Sequence, residues 1–236
     1  MIIIIKWTMA KDVVATAVVA VVAAQIVIIV MKTDLLNLQF SSLEKELMEY
    51  AEAHHVPIIQ KDGLAFLETI IRLTKPKTIL EIGTAIGYSS IRMHQICKSK
   101  ITTLERNAEM VKLAKDNIYK AGYQEFIEVV QMDAVLDAEK LIGKNFDLIF
   151  IDAAKAQYIK FFELYAPLLN PNGVIVCDNI SFHGLTDDAA AYEDQSRSVK
   201  GLIRKMNNFK EYFLALKEFN TTILPIGDGM AVAVKK

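Results

Sequence analysis

Acidic residues stand where the apolar, strand-like runs of this chain end. Glu105, Asp133, Asp152 and Asp178 each follow such a run, and Asn179 comes directly after the last of them. Taken singly, each aspartate could equally be a helix N-cap or a turn residue. Neighbouring parallel strands lie about 5 Å apart, however, so Asp152, Asp178 and Asn179 are expected to converge. Two carboxylates and an amide oxygen form an all-oxygen site, which suits Mg²⁺ or another divalent cation.

A lysine stands close to the same predicted site. Lys155 follows Asp152 by three residues, on the turn that leads into the next predicted helix. An amine held beside a cation-bound substrate hydroxyl is placed to accept its proton. Lys155 is therefore the candidate catalytic base, with Asp152 beside it; the other interpretation is a surface lysine at a helix start.

A glycine-containing turn follows the first predicted strand. The segment TILEIGTAIGYSS, residues 78–90, leaves an apolar strand at Gly83 and enters a helix after Gly87. Such a strand–turn–helix unit presents backbone amides to a ligand. The dinucleotide fingerprint is incomplete because Ala85 stands at its middle glycine, and no Gly-Lys-Ser/Thr sequence follows. By itself the turn is compatible with several ligands.

Two further acids make an adenosyl ligand the favoured one. Glu105 lies about twenty residues beyond the turn, where an acid typically accepts the ribose hydroxyls. Asp133 follows the third strand, where its carboxylate or the amide of Ala134 could meet an adenine edge. Since the turn lacks diphosphate features, these residues together indicate S-adenosylmethionine (SAM).

The elements that must position these residues alternate regularly. Strands are predicted at 78–83, 101–105, 126–131, 146–151 and 173–177, and helices at 87–97, 107–121, 134–142 and 156–168. This order predicts a doubly wound α/β fold, a parallel sheet with helices on both faces. In the tail, a helix near 196–208 and strands near 212–218 and 228–234 predict an antiparallel hairpin closing one sheet edge.

Composition indicates a single large domain. The 236 residues carry a net charge of −1, so no global basic field indicates a nucleic-acid binder, and any such surface must be local. The two cysteines form no disulfide framework, and the four histidines show no metal-ligand spacing. A reduced, cytoplasmic setting fits best.

Residues 1–31 differ from the rest and are treated as a separate apolar segment ahead of a domain at 32–236. Between Val13 and Met31 only Thr16 and Gln25 are polar, a run that could cross a bilayer as a helix. A membrane anchor, a helix in a dimer interface, and added sequence ahead of a natural start near Met31 all remain open. We favour a segment that does not span a membrane, because the remaining chain has the features of a cytosolic enzyme.

Several sequence blocks occur in a characteristic order between about His54 and Val234. They are HHVPI, LEIGTAIGYS, LERN, FIDAAKAQY, NPNGVIVCDNI and PIGDGMAV. In these blocks the chain resembles the metal-dependent O-methyltransferases of the catechol and caffeoyl-CoA type, a branch of the class I methyltransferases. Within that branch it most resembles the bacterial tRNA 5-hydroxyuridine methyltransferases. The resemblance implies a Rossmann-like, seven-stranded, mostly parallel sheet whose last strand is antiparallel; a homodimer is also expected.

The resemblance also implies roles for individual residues. A SAM pocket would be lined by Ile59, Gly83, Ser89, Glu105, Asp133, Ala134 and Asp152, although methionine often stands where this chain has Ile59. Asp152, Asp178 and Asn179 would bind the cation, with Asp152 also near the amino-acid end of SAM. Lys155 would be the base.

The substrate is the least determined feature of the sequence. A cation that grips two neighbouring oxygens serves a catechol and the O4/O5 pair of 5-hydroxyuracil equally well. Arg197, Lys200 and Arg204 share one helical face, which could hold tRNA phosphates or could be an ordinary solvated face. We favour methylation of wobble 5-hydroxyuridine in tRNA, with small catechol-like or phenolic substrates as the alternative. A membrane-tethered, non-catalytic binding module is a remote third interpretation.

Overall fold

The computed structural model describes residues 38–181 and 195–236. Its helices are α1 Ser42–Ala53, α2 Lys61–Thr74, α3 Tyr88–Cys97, α4 Ala108–Lys120, α5 Tyr158–Tyr165 and α6 Arg197–Leu214. Its strands are β1 Thr78–Ile82, β2 Lys100–Glu105, β3 Ile127–Gln131, β4 Phe146–Ile151, β5 Leu169–Cys177, β6 Phe219–Leu224 and β7 Met230–Lys235. Within these residues no helix is long and apolar enough to cross a membrane. The segment 1–31 lies outside the described residues.

The strands form one seven-stranded sheet in the order β3-β2-β1-β4-β5-β7-β6. Neighbouring strands from β3 to β5 pair in parallel, whereas β7 runs antiparallel to both β5 and β6. The prediction of a mostly parallel sheet with an antiparallel last strand is therefore confirmed. The strand order reverses between β1 and β4, and ligands of open α/β sheets bind at the carboxyl ends of strands at such a switch point.

The central strands are buried because helices cover the sheet. Side chains of β1 and β4 such as Leu80 and Ile149 are fully buried. Helix α6 packs on this core through Met206, Phe209 and Phe213, and the ring of Phe209 meets Tyr158 edge-on at 5.3 Å between centroids. Helix α6 thereby supports the segment that follows β4 and enters the candidate site.

Two predicted elements differ from the structure. The strand predicted at 212–218 is wrong: α6 continues to Leu214, because Phe209 and Phe213, four residues apart, extend its buried stripe, and the strand begins at Phe219. The helix predicted at 134–142 is reduced to one 3₁₀ turn, Ala138–Leu141. Its first residues instead form a turn closed by the carboxylate of Asp133, as described below.

Candidate active site

The turn after β1 is fixed from both sides by the neighbouring strands. The backbone amides of Gly83 and Thr84 donate to the carbonyl oxygen of Leu104 on β2, at 3.0 and 3.2 Å. On the other side, the Asp152 amide donates to the Ile82 carbonyl at 3.0 Å. Gly83 has φ +106°, and a Cβ there would lie 1.9 Å from the carbonyl oxygen of Asp152. Only glycine fits this position, and its lack of a side chain lets β1 and β4 come together at the mouth of the site.

Glu105 ends β2 beside this turn with its carboxylate held by two backbone amides. Oε2 accepts from the Ala85 amide at 3.1 Å, and Oε1 accepts from the Asn107 amide at 2.8 Å. Ala85 itself has a positive φ of 45° in this turn. The residue that breaks the dinucleotide fingerprint therefore fixes the orientation of Glu105.

A cavity of about 890 Å³ opens at the carboxyl ends of the strands. Small-molecule sites typically enclose about 300–1,000 Å³. Its wall contains all seven residues predicted for the SAM pocket: Ile59, Gly83, Ser89, Glu105, Asp133, Ala134 and Asp152. Lys155 and Asn179 also lie in this wall. Asp178 is not part of the wall and lies behind it, 3% exposed. The structure thus brings the predicted residues to one place.

Asp133 closes a turn, which is the alternative role that the sequence left open for each aspartate. Its Oδ1 accepts from the amides of Val135 and Leu136 at 2.8 and 3.1 Å. The Ala134 carbonyl oxygen accepts a hydrogen bond from the Tyr165 hydroxyl at 2.8 Å. These bonds hold residues 133–135 as a rigid part of the cavity wall at the end of β3, where the adenine edge was predicted.

Ser89 leads to a buried acid that the sequence interpretation missed. Its hydroxyl donates to Oε1 of Glu81 at 2.5 Å, and the hydroxyls of Ser90 and Thr103 also donate to this carboxylate. Burial raises the pKa of Glu81 to about 7; the three hydroxyls oppose that rise, and the charge of Asp152 adds to it. An acid inside the apolar run TILEI was the available signal, because a charged residue in a central strand requires dedicated partners.

The two aspartates and the asparagine converge as predicted. Asn179 Nδ2 donates to Asp152 Oδ1 at 3.3 Å, and the Asn179 amide donates to Asp178 Oδ1 at 2.7 Å. Asn179 has φ 62°, a left-handed conformation that asparagine tolerates better than most residues. The Tyr158 hydroxyl donates to the Asp178 carbonyl at 2.7 Å and anchors this end of β5.

The electrostatics of Asp152 and Asp178 suit a bound cation. Burial and the nearby Asp152 raise the pKa of Asp178 to about 8. Burial also raises the pKa of Asp152, against the effects of Asn179 and Lys155, which lower it. A cation bound here would neutralise two carboxylates that otherwise repel each other. In the described part of the chain no cluster of three or more His, Cys, Asp or Glu side chains is arranged to hold a metal. The groups that could hold a cation at this point are two carboxylates and one amide, those of Asp152, Asp178 and Asn179.

Lys155 is paired with an acid that was not predicted. Its Nζ lies 3.4 Å from Oδ2 of Asp228, and the two side chains are 20% and 4% exposed. Lys155 begins a 3₁₀ turn, Lys155–Gln157, whereas Asp228 belongs to the turn between β6 and β7. The sequence block PIGDGMAV contains Asp228, but nothing in its local pattern indicates a partner more than seventy residues away.

The residues predicted to contact tRNA lie outside the cavity wall. Arg197 and Arg204 are exposed and Lys200 is half-buried. At 100° per residue, they lie on the side of α6 opposite its buried residues. We call Arg197, Lys200 and Arg204 the basic face.

Comparisons with known proteins show which family this chain matches. The sequence model of a family described as "O-methyltransferase" matches residues 38–236. A Niastella koreensis protein named "Catechol O-methyltransferase" is 29% identical over 215 residues, covering 86% of this chain and 94% of the relative. A Dictyostelium discoideum protein named "Probable caffeoyl-CoA O-methyltransferase 1" is 26% identical over 207 residues, covering 84% and 87%.

Solved structures share the fold. A Staphylococcus aureus protein, provisionally named a caffeoyl-CoA O-methyltransferase, superposes with a TM-score of 0.80 at 38% identity, covering 86% of this chain and 97% of the other. An O-methyltransferase from Bacillus cereus in complex with SAH superposes with a TM-score of 0.74 at 25% identity, covering 85% and 94%.

Proposed function

Because the chain belongs to the O-methyltransferase family, we propose that it transfers a methyl group from SAM to O5 of 5-hydroxyuridine at the tRNA wobble position, forming 5-methoxyuridine. One observation carries the methyl transfer: a single cavity at the switch point contains both the clamped Glu105 carboxylate and the Asp152–Asn179 contact, with Asp178 behind. This arrangement supports a donor site and an acceptor site that lie next to each other.

The proposed donor is SAM with its ribose on Glu105. Both ribose hydroxyls can donate to this carboxylate, whose orientation is already fixed by two amides. The adenine would lie against Asp133 and Ala134, and the amino-acid end against Gly83 and Asp152. Ile59 and Ser89 would complete the pocket. The SAH in the solved B. cereus relative supports this donor.

The proposed acceptor site combines a cation site with a base. Asp152, Asp178 and Asn179 would hold Mg²⁺ or another divalent cation. When bound, it supplies Lewis-acid and template chemistry for two neighbouring substrate oxygens. Lys155 Nζ, as the neutral amine, would accept the proton of the attacking hydroxyl and so become the ammonium that pairs with Asp228. The methyl carbon then bonds to that oxygen as its bond to the donor sulfur breaks, leaving SAH.

The basic face supports tRNA as the substrate. Three cations lie on one side of α6, the side opposite the residue Phe209 that packs on Tyr158. They could bind phosphates while an unstacked anticodon base enters the cavity, as is common in RNA recognition. Small catechol-like phenols are the second candidate, favoured by the names of the two relatives described above. Both acceptors present two neighbouring oxygens to the same site.

The two substrates are distinguished by supplying both to the purified protein with SAM and Mg²⁺. Mass spectrometry is expected to detect 5-methoxyuridine in tRNA that contains 5-hydroxyuridine. Replacing all three residues of the basic face by alanine should weaken tRNA binding. The slope of the logarithm of the binding constant against the logarithm of the salt concentration should become shallower by roughly 0.7–0.9 per lost phosphate contact. Turnover of a small catechol, if any, should be unaffected by that change.

A matched control removes three exposed lysines at the opposite end of the sheet: Lys75, Lys77 and Lys100. An equal loss of tRNA binding in the control would contradict the basic face as the specific contact. Methylation of catechols alone, with tRNA inert, would favour the small-molecule candidate. A homodimer and a cytoplasmic location stay predictions, as does the expectation that residues 13–31 do not span a membrane.

A further inference from the structure

The ion pair between Lys155 and Asp228 links the candidate base to a distant part of the chain. Lys155 Nζ lies 3.4 Å from Asp228 Oδ2, and the Asp228 side chain is nearly fully buried. The negative charge of Asp228 also adds to the rise in the pKa of Asp178. Asp228 therefore lies beside the lysine and within electrostatic reach of Asp178.

The turn that carries Asp228 is anchored on two sides. The Gly227 amide donates to Asp62 Oδ2 of helix α2 at 2.9 Å. The Ser181 amide donates to the Asp228 carbonyl at 2.7 Å, and the Ile180 amide to the Gly229 carbonyl at 3.0 Å. Because Asp62, Ser181 and Ile180 all hold its backbone, this carboxylate is a fixed point rather than a mobile surface charge.

We propose that Asp228 is the positioning residue for Lys155, holding Nζ at the cavity wall that Asp152 and Asn179 also line, where a substrate hydroxyl would lie. The inference rests on the proposed function, in which Lys155 accepts the hydroxyl proton. A lysine amine ends a stem of four rotatable bonds and does not by itself select one position. A misplacement of 1 Å can cost about 100-fold in rate, so a rigid partner matters.

The proposal separates Asp228 from residues that only support the fold. Its backbone carbonyl holds Ser181 whatever the side chain is. Substitution of the carboxylate therefore leaves the anchoring bonds of the turn in place. Asp228→Asn keeps the shape of the side chain and removes its charge, which makes it the primary variant.

The test is a double-mutant cycle of Asp228→Asn and Lys155→Met in the full chain. The observable is the single-turnover rate of methyl transfer with SAM and the better of the two acceptors. Asp228→Asn is expected to lower that rate by about 10- to 100-fold while the Kd for SAM is unchanged. In the Lys155→Met background the same substitution should cause no further loss, because Asp228 acts through the amine.

Each outcome of the cycle has one meaning. An Asp228→Asn loss that is equally large without Lys155 would overturn the positioning role and leave the proposed function intact. An unchanged rate in Lys155→Met would remove the base from the proposed function, and this inference with it. Normal kinetics in Asp228→Asn alone would contradict only the inference.

Two further variants test whether a lower rate comes only from a loss of folding. Asp147→Asn removes a part-buried carboxylate that accepts backbone amides at the far end of the sheet, and it should leave the rate unchanged. Asp228→Glu keeps the charge and should recover part of the rate lost in Asp228→Asn; no recovery would contradict the proposal. If Asp228→Asn does not fold, the cycle is run with Asp228→Glu, whose loss should likewise vanish in Lys155→Met.

Discussion

Replacing Glu105 with alanine removes a carboxylate of the cavity wall that two backbone amides hold in place. Those bonds, 3.1 Å from Ala85 and 2.8 Å from Asn107, fix both oxygens in place before any ligand binds. If the ribose of SAM donates its two hydroxyls here, the variant loses two charge-assisted bonds. Such bonds contribute about 1.5–3 kcal/mol each.

The lower end of that range applies, because Glu105 is only half-buried. Two bonds at the lower end amount to about 3 kcal/mol, which corresponds to at least a 100-fold rise in the Kd for SAM. The amides of Ala85 and Asn107 can turn to water, so the free energy of unfolding should fall by only about 1 kcal/mol per lost bond. For the two bonds the expected loss of stability is about 2 kcal/mol, somewhat less than the expected loss of about 3 kcal/mol in SAM binding.

Titration calorimetry with SAM measures the binding loss, and thermal denaturation measures the stability loss. Glu105→Gln, which retains one carbonyl oxygen as an acceptor, should lie between wild type and Glu105→Ala. Glu128→Ala is the matched control, since Glu128 is an exposed residue on the neighbouring strand β3 that pairs with Lys144. A folded Glu105→Ala protein that binds SAM as tightly as wild type would refute the assignment of the ribose to Glu105.

Three further predictions follow from the same site. Exhaustive chelation of divalent cations, or Asp178→Ala, should abolish methyl transfer; full turnover under either condition would contradict a cation-dependent reaction. Gly83→Ala should lower the free energy of unfolding by roughly 2–5 kcal/mol in urea titrations, from left-handed strain plus the clash with Asp152. Gly122 also has a positive φ, +75°, but a Cβ added there would meet no atom within 4 Å. Gly122→Ala should therefore show the strain alone, and equal losses of stability in the two variants would rule out the clash. The pKa of Glu81 is raised from 4.5 to about 7 on folding, so the free energy of unfolding should fall as the pH rises across that range. Glu81→Gln should reduce this pH dependence of stability, and an unchanged pH dependence would refute the raised pKa.

Residues at strand ends were predictable because the chain alternates regularly between strands and helices. That alternation placed Gly83, Glu105, Asp152 and Asn179 at one edge of one sheet, and the structure confirms their convergence. The prediction needed only strand spacing and the rule that ligands bind at the carboxyl ends of strands.

Long-range partners could not be predicted in the same way. Arg92 on α3 is buried with Glu44 of α1 at 2.9 Å and Glu68 of α2 at 2.6 Å. Nothing local in the sequence joins these three residues, and the same holds for Lys155 and Asp228. Such pairs depend on how helices and turns pack after the elements have formed.

The tail was misjudged for a local reason. The segment around Tyr212 is rich in aromatic residues, which favour strands, yet Phe209 and Phe213 face the core at helical spacing. Packing against Tyr158 and Phe162 overrides the local preference there.

The substrate is tested most directly by the nucleosides of tRNA from cells that lack this protein. Total tRNA would be digested and its nucleosides measured by mass spectrometry, with and without restoration of the gene. The proposed function predicts that 5-methoxyuridine is lost, that 5-hydroxyuridine accumulates, and that both return to normal on restoration. Unchanged 5-methoxyuridine, in cells that contain no second enzyme for this methylation, would contradict tRNA as the substrate.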